Sequence, residues 1–143
     1  MKTQFVLPSV QSYWRYSAAG FSAVAGIIHA YFMSEHFEAW VGYGGFFLVA
    51  TVCQLLLSHI LAATRPVRRE VLWAGILGNA AIIALWIVTR TLGIPLGPEA
   101  GMVCRIGAFD VTSKIAELVV IVCLAVLLRE KTELGAHSRL SNS

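Results

Sequence analysis

VLWAGILGNAAIIALWIVTRTLGIPLGP, residues Val71 to Pro98, is the stretch on which the fold turns. Its first eighteen residues, Val71 to Val88, carry no charge. At about 1.5 Å of rise per residue they cover most of a hydrocarbon core about 30 Å thick, so they read as a transmembrane helix. The GIPLGP that follows cannot continue the helix, because Pro95 and Pro98 lack a backbone N–H and glycines flank them. Gly75, Asn79, Trp86 and Arg90 are spaced at 4, 7 and 4 residues, so they share one helix face. A polar face inside a membrane needs partners on neighbouring helices.

Three other apolar segments can supply them, spanning about 17–33, 41–63 and 110–128, with 71–88 as the third of four. The chain is 57% hydrophobic and 13% charged, with a mean hydropathy of +0.72. A soluble domain carries about 25% charged residues, and half that share cannot cover a soluble surface. The charges also sit between the apolar runs. Both features indicate an integral membrane protein whose first partner is the lipid bilayer. The net charge of +3 does not point to nucleic acid, because the basic residues mark helix ends and form no continuous patch. Cys53, Cys104 and Cys123 show no C-x-x-C and no metal-ligand spacing. Only Cys104 falls at a membrane face, so thiol redox chemistry has no cysteine pair to run on.

Residues 1–16 read as an N-terminal interfacial segment. MKTQFVLPSVQ lacks the pattern of a secretory signal, and SYWRY has the aromatic composition of a membrane–water boundary. Residues 17–128 form one four-helix transmembrane domain, and 129–143 a charged, then serine-rich tail expected to fray. SEHFEAW (Ser34 to Trp40) reads as a short connector and TRPVRRE as a tight basic turn. The segment from Thr89 to Phe109 is the longest irregular one. It is too apolar for disorder, which predicts a Gly/Pro-rich cap on the bundle. Placing the N-terminus, the basic turn and the tail inside collects eight of the eleven basic residues: Lys2, Arg15, Arg65, Arg68, Arg69, Arg129, Lys131 and Arg139. The positive-inside rule therefore predicts a multi-pass protein of the plasma (inner) membrane, N-in and C-in, with a cytoplasmic tail. The fold expected is an all-α, four-transmembrane antiparallel helix bundle with an outer cap loop.

Each span carries a polar stripe at helical spacing: Ser22/Gly26/His29, Thr51/Gln54/Ser58, Gly75/Asn79/Trp86/Arg90 and Asp110/Lys114/Glu117. Ser22, Gly26 and Ala30 also form a small-residue ridge that admits a neighbouring helix closely. In the expected topology the ionisable residues gather toward the outer mouth. His29, Glu35, His36, Arg90, Asp110 and Glu117 are the candidate ligand-binding set, since charged groups inside a membrane are costly and mark sites. Gln54, Asn79, Trp86 and Lys114 are structural polar candidates, with Gln54 and Asn79 expected to bridge near the midplane. Arg90 and Glu117 lie near the outer ends of consecutive spans and are expected to pair.

His29, His36 and Glu117 are the metal candidates. Imidazole and carboxylate suit copper, zinc or iron. On one continuous helix His29 and His36 would lie about 10 Å apart along the axis, so they could share an ion only if the chain turned back at Ser34. A bis-histidine haem is excluded, because His59 falls about 27 Å below the outer start of its span. Ser113 lies beside Glu117, but no G-x-S-x-G supports a hydrolase. No catalytic residue is assigned, and no carboxylate lies deep in the first span as a proton-coupled exporter would require.

Three motifs go further: EHF-x-x-W (Glu35 to Trp40), GNAAIIALWIVTRTLGIPLGP (Gly78 to Pro98) and D-V-x-x-K-x-x-E-L (Asp110 to Leu118). Through them the chain resembles a family of small four-span prokaryotic integral membrane proteins over roughly Gly26 to Leu128. The resemblance implies the four-helix membrane fold and carries no mechanism. Two functions are consistent with these readings. One is an accessory or scaffold subunit of a larger membrane complex, such as a respiratory or oxygenase assembly, or a homo-oligomer. The other is a stand-alone metal- or small-molecule-binding protein with its site at the outer mouth.

Overall fold

Hydrocarbon offers no partner to an unpaired backbone N–H or C=O, so a chain that crosses it more than once closes its hydrogen bonds within helices. The computed structural model describes residues 10–140, with side chains as far as Thr132. It contains α1 (Val10–Ala39), α2 (Val41–Ala63), α3 (Arg69–Thr91) and α4 (Ala108–Leu140). All four are long and apolar enough to cross a membrane. The protein is an all-α four-helix membrane bundle. In it α1 packs on α2 and α4, α3 packs on α4, and a narrower contact between α2 and α3 closes the ring.

Two boundaries differ from expectation. SEHFEAW is not a connector: α1 continues through it to Ala39, and Trp40 alone, in extended conformation, separates α1 from α2. No glycine or proline interrupts SEHFEA, so nothing in it stops a helix. The tail does not lose its helix after Leu128 either, since α4 extends to Leu140. The expectations for residues 1–9 and 141–143 lie outside the described residues.

The interior is small and polar, and the exterior is large and apolar. Ala18, Ala25, Ala50 and Ala116 are buried together with Ser22, Gln54, Asn79 and Glu117. Ile27, Val49, Leu77, Ile115 and Leu118 face outward. Lipid is the solvent that makes this arrangement favourable, because outward leucines lose nothing there and close helix contact favours small residues. The ridge on α1 works this way. A Cβ on Gly26 would stand 3.0 Å from the Leu55 side chain and 3.2 Å from that of Gln54. On α3, a Cβ on Gly75 would come within 2.6 Å of Leu124. Near the α2–α3 turn the packing becomes aliphatic, built on Leu57, Leu61, Leu72, Val120, Leu124 and Leu127.

The α3–α4 connection folds back as a compact cap. Ile94 pairs with Ala100 in a single bridge, and Cys104 N–H donates to the Thr89 carbonyl at 3.0 Å. Gly93 has φ +98°, and a Cβ there would meet the Gly101 carbonyl oxygen at 2.6 Å, so only glycine fits the turn. Tyr43 of α2 fastens the cap: its hydroxyl donates to the Leu96 carbonyl at 2.9 Å and accepts from Glu99 N–H at 3.3 Å.

Gln54 joins three helices near the middle of the bundle. Ser22 Oγ lies 2.8 Å from the Gln54 carbonyl and 2.7 Å from its Oε1, while Gln54 Nε2 donates to Asn79 Oδ1 at 2.8 Å. Asn79 Nδ2 in turn donates to the Gly75 carbonyl at 2.8 Å. Interhelical hydrogen bonds in membranes contribute about 0.6–2 kcal/mol each. Asn79→Leu is expected to cost about that much, and Gln54→Leu at least as much, because it removes the side-chain link to α3 and leaves Ser22 only the backbone carbonyl of residue 54 as acceptor. Thermal unfolding of the two variants in detergent checks this, and equal stability of both with the native chain would contradict it.

Candidate functional site

Toward the cap end the bundle changes from aliphatic to charged. Glu117, one turn beyond Ser113 on α4, has no solvent exposure. Its Oε1 accepts from Ser113 Oγ at 2.9 Å and lies 3.0 Å from His29 Nε2 of α1. Lys114 Nζ contacts both carboxylate oxygens at 2.6 Å. An ionised carboxylate only accepts, so with Glu117 ionised the tautomer of His29 that completes this contact is the one protonated on Nε2. His29 is itself buried, and its ring meets the Phe47 edge at 5.5 Å.

Arg90 does not join this group. The expected Arg90–Glu117 pair is replaced by Arg90–Asp110, Nη2 to Oδ2 at 2.7 Å. The reason is height. Arg90 is the penultimate residue of α3 and Asp110 stands in the first turn of α4, whereas Glu117 lies seven residues deeper, about 10 Å along the axis. Asp110 Oδ2 also accepts from Gly107 N–H at 3.1 Å, so the same carboxylate caps α4. Arg90 Nη1 donates to Thr89 Oγ1 at 2.8 Å, and its guanidinium carbon stands 5.6 Å from the Trp86 ring centroid.

The metal set does not form. Because α1 runs straight through Ser34, His36 stays a full two turns from His29. Phe47 lies against both rings, stacked on His36 at 3.7 Å and edge-on to His29. His36 Nδ1 is engaged by the Phe32 carbonyl at 2.8 Å, and His29 Nε2 by Glu117. Among the described residues no group of three or more His, Cys, Asp or Glu could hold a metal ion, so copper, zinc or iron has no ready-made seat there. Glu35 is exposed on α1 and joins neither cluster.

Glu117, His29, Lys114, Arg90 and Asp110 all stand out in the sequence, but the structure divides them into two clusters that their order in the chain does not suggest. Phe47, whose ring separates the two histidines, and Tyr43, which fastens the cap, do not stand out there. The only signal for Phe47 was its place one turn below Tyr43 on the α2 face turned toward α1. Two buried donors at this end have no hydrogen-bond partner, Trp86 Nε1 and Arg90 Nε, and Thr51 Oγ1 is likewise unpartnered. The two ion pairs balance their own charge, Lys114 with Glu117 and Arg90 with Asp110. Arg90–Asp110 joins α3 to α4, and the His29–Glu117 contact joins α1 to α4, while Lys114 neutralises Glu117 from within α4. Compared with known proteins, the chain matches no family model, no curated protein and no solved structure.

Removing one member of a buried pair leaves the other charge uncompensated, at a cost of about 3–5 kcal/mol. Glu117→Leu is therefore expected to lose that much stability, and adding Lys114→Met to recover a large part of it. Exchanging Arg90 and Asp110 should retain more stability than exchanging Arg90 and Glu117. Unfolding in detergent across these variants checks the division into two clusters. A fully stable Arg90/Glu117 exchange would contradict it.

Proposed function

We propose that this chain is a small accessory or scaffold subunit of a larger membrane complex, such as a respiratory or oxygenase assembly. The observation that carries the reading is the apolar surface of the cap. Leu92 is 79% exposed and Leu96 70%, with Met102, Val103 and Ile106 also more than half exposed. These residues follow the end of α3, and large apolar side chains exposed beyond the end of a membrane span mark a contact with another protein or with the membrane. The charged cluster supports the same reading, because its charges are matched within the bundle and its hydrogen bonds tie helices together. In this proposal the cap faces out from the inner membrane and both termini face the cytoplasm.

Extraction from native membranes into polymer-bounded lipid discs tests the assembly. The chain is expected to run with partner subunits and to be released by the combined Leu96→Ser and Met102→Ser changes, with its thermal stability little altered. A chain that runs alone, as one bundle, contradicts the scaffold reading, and cross-linking to itself alone would make it a homo-oligomer. Reporter fusions at the C-terminus should be active only in the cytoplasmic form.

A second reading, a stand-alone site for a small polar molecule at the mouth, is favoured by one observation. Trp86 Nε1 and Arg90 Nε are adjacent buried donors with nothing to donate to, and buried donors in native proteins ordinarily have partners. Stoichiometric metal, pigment or small molecule in the chain purified alone would favour this reading over the first.

A further inference from the structure

At the other end of the bundle the charge is not balanced. An open cavity of about 320 Å³ lies between the start of α1, the α2–α3 turn and α4. That is the lower end of the size range of ligand pockets, about 300 Å³. Arg15, Arg65 and Lys131 line it, with Gln11 and Ser12, and no acidic residue is among the described residues that line it.

Arg15 is the centre of the arrangement. Only 5% of it is exposed. Its Nη1 donates to the Thr64 carbonyl at 3.3 Å and to that of Ala62 at 3.5 Å, while Nη2 is buried with no hydrogen-bond partner. Arg65 donates to the Tyr16 hydroxyl at 2.9 Å, and the Tyr16 ring lies 4.4 Å from the guanidinium carbon of Arg15 and 5.7 Å from that of Arg65. Lys131 reaches from α4 to the Val67 carbonyl. Carbonyls and a phenol thus hold three cations around one cavity, none of them in an ion pair among the described residues. Glu70, in the first turn of α3, pairs with Arg68 outside the cavity, both side chains being exposed, and feels Lys131 only at longer range.

A buried guanidinium with an unmet donor, beside two more cations, is unfavourable until an anion arrives. A phosphate brings several acceptor oxygens and fits the guanidinium fork. The cavity also has an apolar side, formed by Leu72 and Leu127 of the aliphatic core. Tyr13, Trp14 and Tyr16 stand in the first turns of α1 at this end, which is the composition of the headgroup level. A phospholipid sets its phosphate at that depth and runs its acyl chains down the apolar helix faces. A phosphate from solution has no use for those faces. The geometry points to a phosphate-binding site here, occupied by the headgroup of an anionic phospholipid such as phosphatidylglycerol. Basic pockets between transmembrane helices bind lipid headgroups on these terms.

The test uses the full chain, purified in uncharged detergent. Its thermal unfolding is titrated with phosphatidylglycerol, phosphatidylcholine and inorganic phosphate in parallel. Phosphatidylglycerol is expected to raise the unfolding temperature, and the other two to leave it nearly unchanged. Because Arg15 is buried and its replacement could prevent folding, the informative variants are Arg65→Gln and Lys131→Gln. Each should weaken the apparent affinity for phosphatidylglycerol about fivefold, the effect of one basic residue at an anionic surface. Arg68→Gln and Arg69→Gln, exposed cations of the same turn outside the cavity, should not change it. Equal stabilisation by the two lipids would overturn the site, as would an equal loss in the control variants. Stabilisation by inorganic phosphate as strong as by the lipid would overturn the lipid assignment.

Discussion

A polar side chain in hydrocarbon has no water to return to, and that constraint arranges this bundle. Each of its four helix–helix contacts is crossed by a polar link. Ser22 joins α1 to α2 through Gln54, and Gln54 joins α2 to α3 through Asn79. Arg90 joins α3 to α4 through Asp110, and Glu117 joins α4 back to α1 through His29. Apolar packing cannot choose between helix arrangements in lipid as it does in water, since lipid tails are as apolar as leucine. The polar links can choose, because any other neighbour order would leave charged or amide groups unpaired. The small-residue faces at Gly26 and Gly75 then let the helices come close enough for the links to form.

The two ends of the bundle use charge in opposite ways. At the cap end every buried carboxylate has a cation, and the cap above them is apolar and exposed, which suits contact with a neighbouring protein. At the turn end three cations line one cavity with no carboxylate among the described lining residues, which suits an anion from outside the chain. Between them lie the Gln54–Asn79 bridge and the aliphatic core around Leu61 and Leu124, whose Leu72 and Leu127 reach the turn-end cavity.

Much of this was legible in the sequence, for specific reasons. The uncharged run from Val71 and its matching segments imply four spans, because hydrocarbon thickness sets helix length. Gln54 and Asn79 stood out as amides in apolar helices, and each is the other's partner. Arg90's partner was misread because sequence order suggests neighbours without fixing depth. Counting residues from the ends of α3 and α4 puts Arg90 level with Asp110. The continuation of α1 past Ser34 was hidden because SEHFEA is polar, and polarity marks the end of the membrane without marking the end of a helix. The cavity at the turn end was not legible at all. Arg15, Arg65 and Lys131 stand far apart in the chain and read as ordinary topology signals, and only the packing of α1 and α4 against the turn assembles them.

The central claim is that polar links, above all the one between His29 and Glu117, hold the helices in this order. A double-mutant cycle with His29→Leu, Glu117→Leu and the pair together, read as reversible unfolding in lipid bicelles, measures that link directly. The account predicts a coupling of about 1.5–3 kcal/mol, the strength of a hydrogen bond to a charged group. A coupling indistinguishable from zero would contradict it.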